Sequence, residues 1–193
     1  MWVRSAAIRP VPAFAVLPRE ALELVEEWLG DDEDATERYL NEIYTELEEK
    51  QPALAERLGE AFARCTDEVA EALGYFLALT MYRAFDTAFD PHVSRVTADG
   101  LRSVEEALDL DEELRGDDPT EVIDSDDVIA MEQPHAVAYI HEHLETALEV
   151  HAENADVDAI HGIYRLLLIE LLALSYAVSA PPGVTAVSDE IQA

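Results

Sequence analysis

Cysteine occurs once, lysine once and glycine only seven times in these 193 residues. The lone Cys65 excludes an intrachain disulfide framework and any zinc site built from several cysteines. It reads as a small buried apolar side chain. No Gly-rich phosphate loop, nucleophile elbow or CxxC is present, which removes the usual sequence support for nucleotide hydrolysis, α/β-hydrolase chemistry and thiol redox. Long apolar runs are missing too. The most apolar stretch, 163–178, carries Arg165 and Glu170 and falls short of the ~20 residues a bilayer demands. At the N-terminus, Arg9, Pro10 and Pro12 interrupt the apolar run before it reaches signal-peptide length. These absences predict a soluble, cytoplasmic protein.

The scarcest commodity is positive charge. Forty-three carboxylates face twelve Lys and Arg, a net charge of −31. Self-repulsion on that scale opposes a compact fold at low ionic strength. At molar salt the Debye length falls to about 3 Å and the repulsion is screened. The composition resembles that of proteins from salt-in halophilic archaea. A nucleic-acid mimic or an acidic tail would concentrate its carboxylates. Here residues 1–64 hold 15, residues 65–128 hold 18 and residues 129–193 hold 10. Apolar residues make up 49% of the chain, more than a disordered polyanion carries. Such a surface binds monovalent cations diffusely, and it disfavours DNA or RNA phosphate because no basic patch exists.

What remains is helical. The spacing predicts helices over 18–30, 34–50, 52–64, 67–89, 98–108, 134–152 and 157–179. Pro18, Pro52 and Pro134 suit first turns, and Gly30 and Pro91 mark ends. The helices at 67–89 and 157–179 are apolar nearly all round and would be surrounded by the others. The expected fold is all-α: one domain, a bundle of about six or seven helices around two nearly all-apolar central ones. Residues 1–17 form an apolar, basic arm and 18–180 the bundle. Residues 109–128 form an acidic loop within it, and 181–193 a short tail. No internal repeat is evident.

Three groups of residues depart from this plain scheme. Glu170 falls by helical spacing among Ile163, Leu166, Ala173 and Leu174, so it must find a partner or be protonated. Arg83 and Asp86 in the other central helix, with Arg165, are its candidate companions. They form either an ion pair or a small polar ligand site in the bundle core. The second group is the histidines: Glu132-x-x-His135 and Asp158-x-x-His161 each resemble half of the carboxylate-x-x-His spacing of di-metal bundles. His141 joins them as a candidate ligand, with His141 and His151 placed towards the apolar face and His143 to one side. Third, the arm carries Trp2, Arg4, Arg9 and Phe14 and no acid at all, which suits either packing on its own bundle or docking to a partner. The acidic run is not a calcium loop: counting from Asp111, Arg115 and Val122 fall where oxygen ligands are required.

Tyr139-Ile140, His143-Leu144 and Ile163-Tyr164-Arg165 resemble, in their spacing, the C-terminal part of TorD-type chaperones for molybdoenzymes. That family is all-helical and of similar length. Its acidic-His-Leu signature has no counterpart here, since Asp99-Gly100-Leu101 lacks the histidine, and no membership follows. The sequence leads to a non-enzymatic interaction or assembly protein of chaperone or adaptor type in a high-salt cytoplasm. The alternative is a small-ligand or metal-binding bundle, possibly an enzyme, around Glu170, Arg83 and the histidines. No specific cofactor is expected, and the expected partner is a protein or a second copy.

Overall fold

The computed structural model describes residues 7–30, 33–116, 124–151 and 156–182. Among them the chain forms α1 (Arg19–Leu29), α2 (Glu33–Lys50), α3 (Pro52–Arg64), α4 (Glu68–Phe89), α5 (Ala98–Gly116), α6 (Ser125–Glu132), α7 (Pro134–His151) and α8 (Val157–Ala177). The fold is a single all-α bundle. The described residues form no regular strand; one isolated antiparallel bridge joins Val93 to Val178. Among the same residues no helix is long and apolar enough to cross a membrane.

Local chemistry sets the helix ends. Gly30 stops α1 at φ +63°, a left-handed conformation that costs glycine nothing, and its N–H closes back on Glu26. Pro52 opens α3, where its missing N–H is not needed. Asp67 caps α4 by accepting from the Ala70 N–H, and Asp156 caps α8 by accepting from Asp158 and Ala159. The two central helices start side by side, because the other Asp67 oxygen accepts from the Asp156 N–H at 3.1 Å. They approach closely at Gly74: a Cβ there would lie 2.7 Å from Ile163 Cγ2.

The acidic stretch is more helical than its composition predicts. Helix α5 runs on to Gly116, and α6 begins at Ser125 behind a capping box formed by Asp124 and Asp127. Of the expected loop 109–128, only 117–123 lies outside the described residues. Inside it, Asp111 is buried and pins the region together, accepting from Arg115 at 2.5 Å, from Ser125 at 2.7 Å and from the Ala7 N–H at 2.8 Å. Burial works against its charge, but these three bonds hold its carboxyl below the usual range.

The described part of the arm packs on its own bundle. Ile8, Val11, Ala15 and Leu17 are buried, and the Val11 N–H donates to Glu132 at 2.6 Å. Phe14 packs partly buried against the core. Trp2 and Arg4 lie outside the described residues.

A repeat invisible in the sequence organises the fold. At each of two Gln-Pro junctions, Gln51-Pro52 and Gln133-Pro134, one helix ends and the next begins. The glutamines share one backbone conformation, φ −131° and ψ 57° against φ −132° and ψ 62°. Each is buried, and each uses its side-chain amide to grip the backbone of a segment from the other half of the chain. Gln51 accepts from the Val96 N–H at 2.7 Å and donates to the Ser94 carbonyl at 3.0 Å. Gln133 accepts from the Leu17 N–H at 2.9 Å and donates to the Ala15 carbonyl at 2.8 Å. The gripped segments lead into α1 and α5. Both halves then run through a helix ending in glutamine, a helix begun by proline, and an Asp-capped apolar helix. In register from the two caps, Ala70, Tyr75, Leu77, Leu79 and Ala84 of α4 match Ala159, Tyr164, Leu166, Leu168 and Ala173 of α8. Gly74 and Ile163, which meet at the crossing, are also counterparts. So are Met81 and Glu170.

Candidate functional site

Glu170 is enclosed as its helical spacing predicts, with 1% of its surface exposed. Neither carboxylate oxygen has a hydrogen-bond partner. Burial alone pushes its pKa well above the ordinary carboxylate value, so the side chain sits in the core as a neutral acid.

The ion pair expected with Arg83 does not form. Arg83 turns towards α2, meeting Glu46 at 3.0 Å and Asp86, one turn along its own helix, at 3.5 Å. Lys50 adds a second cation to Asp86 at 2.7 Å. Arg165 turns towards α5 and pairs with Asp109, with Glu112 at 3.6 Å. The four residues grouped in the sequence therefore belong to three places. Arg83 and Asp86 form a junction with α2, Arg165 ties α8 to α5, and Glu170 stands by itself.

The histidines are similarly dispersed. His135 is exposed on α7, in a shallow cavity of about 240 Å3 with Glu23, Glu26 and Glu142. Asp158 is exposed on the first turn of α8. His141 and His161, both exposed, come into the field of Asp126. There the His141 ring nitrogen lies 2.8 Å from the Tyr164 hydroxyl, which also lies in the field of Asp126. Burial raises the pKa of both Tyr164 and Asp126. Asp126 and Tyr164 were not singled out in the sequence, where the acidic run hid one and the apolar helix the other. Among the described residues no three His, Cys, Asp or Glu side chains converge in a way that would hold a metal ion.

The orientation expected along α7 is corrected as well. His143, not His141 or His151, turns inward: its ring lies 4.2 Å from that of Tyr139 and 5.5 Å from that of Phe76. His151 is exposed. Cys65 is half-buried at the end of α3, with its thiol 3.4 Å from the Asp67 carbonyl.

Arg9 occupies a different setting from the rest of the arm. Its guanidinium lies 4.0 Å above the centre of the Tyr176 ring, and its carbonyl accepts from the Tyr176 hydroxyl. Burial is the main reason that hydroxyl is pushed up to about 12. Both residues line a cavity of about 400 Å3 closed by the 95–97 segment and α5. Nothing in the sequence signalled Arg95, Gln51 or Gln133, whose roles depend on contacts across the whole chain. Comparison with protein-family models, with curated proteins and with solved structures yields no match.

Proposed function

We propose that this is a non-enzymatic interaction or assembly protein of a high-salt cytoplasm, with monovalent cations held diffusely over its acidic surface. One contrast carries the reading. The charged groups nominated for core chemistry are spent inside the fold: Arg83 on Glu46 and Asp86, Arg165 on Asp109 and Glu112, and Glu170 as a neutral acid. Large apolar side chains meanwhile stand in solvent on an otherwise strongly acidic surface. Leu110 and Leu114, one turn apart on α5, are 48% and 41% exposed, and Met131 on α6 is 65% exposed. Apolar contact suits such a solvent, because molar salt screens charge pairing and leaves hydrophobic association intact.

The experiment is affinity capture in molar KCl with the wild-type chain and a Leu110→Glu/Leu114→Glu variant, compared by quantitative mass spectrometry. Elemental analysis of the purified protein accompanies it. A defined partner held by the wild type and lost by the variant supports the reading. Stoichiometric iron, manganese or zinc in the purified protein would overturn it in favour of a metal-binding bundle.

A further inference from the structure

Eleven arginines serve this chain against its 43 carboxylates. Ten of them lie among the described residues. Seven of them, Arg19, Arg57, Arg64, Arg83, Arg102, Arg115 and Arg165, do pair with a carboxylate. The exceptions are Arg9, Arg38 and Arg95. Arg38 is exposed on α2. Arg9 and Arg95 line one and the same cavity, of about 400 Å3.

Both are mounted on fixed backbone. Arg9 is held by the hydroxyl and ring of Tyr176. Arg95 sits between the two residues that Gln51 grips; its guanidinium donates to the Glu49 carbonyl at 3.1 Å, and it also borders a second cavity that holds Asp86 and Asp90 without pairing with either. The remaining walls divide by chemistry. Ile8, Val96, Val104 and Leu172 supply apolar surface, and Thr97 and Ser103 supply hydroxyls. The cavity also includes Gly100 in the first turn of α5, whose positive dipole end adds to the two guanidinium groups. Two cations in no ion pair, hydroxyl donors and an apolar wall are complementary to one class of molecule.

We propose that this cavity binds a small organic anion with an apolar body, its carboxylate or phosphate head held by Arg9 and Arg95. Planar guanidinium forks match either head group. The cavity volume lies within the range of small-molecule sites. The apolar body is required because exposed arginines hold a bare anion weakly at molar salt, whereas apolar burial survives there.

Calorimetric titration of the full chain in molar KCl tests this with octanoate, octyl phosphate, octanol and inorganic phosphate as probes. Octanoate or octyl phosphate should bind one to one, at least about tenfold tighter than octanol or inorganic phosphate, and which of the two binds better identifies the head group. Arg9→Gln and Arg95→Gln should each weaken the preferred anion about tenfold, in keeping with loss of a charge-assisted hydrogen bond. Arg38→Gln should leave it unchanged. Arg95 forms no side-chain bond to another side chain, so its variant isolates the site should Arg9→Gln disturb the arm; circular dichroism verifies the fold of each. Absence of binding by all four probes, equal binding of octanol, or wild-type affinity in Arg95→Gln would each overturn the proposal.

Discussion

Replacing Glu170 by methionine, the residue at the matching position of α4, should make the protein more stable, and by an amount that grows with pH. At acid pH both the folded and the unfolded chain carry a protonated Glu170. The folded state then bears only the cost of a buried carboxyl with neither oxygen hydrogen-bonded, about 1–3 kcal/mol. Above the ordinary value of 4.5 the unfolded chain releases its proton while the folded chain keeps it. Raising the pH therefore favours unfolding, by about 1.4 kcal/mol per pH unit until the folded pKa is reached. Methionine is unbranched and adaptable in a core and has no proton to lose. Between pH 5 and pH 7 the advantage of Glu170→Met over the wild type should therefore widen as the pH rises. Every other carboxylate is common to both chains and cancels. Urea denaturation in molar KCl across this pH interval measures the difference directly, and Glu170→Gln should show the same slope. A difference that stays flat with pH, or a Met variant less stable than the wild type at pH 7, would refute the assignment of Glu170 as an unpaired neutral acid.

Gly74→Ala drives a methyl group into Ile163 and Phe62 at the crossing of the central helices. It should lower stability by about 1–3 kcal/mol in a thermal melt, and the same substitution should cost much less when made in an Ile163→Ala background. Gln133→Ala leaves the buried Leu17 N–H and Ala15 carbonyl unsatisfied and should cost about 2–4 kcal/mol. Amide exchange at Leu17 should accelerate while that at Val96 scarcely changes, and Gln51→Ala should reverse the pattern; wild-type protection at Leu17 in Gln133→Ala would contradict the grip. Dialysis from molar KCl to about 10 mM salt lengthens the Debye length to about 30 Å and should cost helicity, whereas full helicity with an unchanged melting temperature would refute the high-salt reading.

Much of the fold was legible because it depends on neighbours in sequence. Seven helices follow from apolar spacing and from Pro18, Gly30, Pro52, Pro91 and Pro134. Burial of Glu170 follows from its place on the wheel of α8. Helix α6 was missed because its first turn is Asp- and Ser-rich, a composition equally suited to a loop until the capping pair is seen. The companions of Arg83 were misjudged for another reason. Glu46 lies on a different helix, and periodicity says which face a residue occupies but not which helix it meets. The same limit hid the two glutamine grips, whose ends are separated by 45 and 116 residues. His141 and His161 were chosen as metal ligands, yet what they share in the structure is the neighbourhood of Asp126 and Tyr164.

The crossed glutamines have a consequence for how the chain can be divided. Residues 7–90 contain Gln51 but not the segment it holds, and they contain Ala15–Leu17 but not the amide that satisfies it. The second half is incomplete in the complementary way. Each half thus supplies the backbone segment that satisfies the other's glutamine. A fragment ending near Asp90 would be left with an empty grip and an ungripped segment, the two surfaces through which it would recruit the other half, supplied separately, and recover the fold.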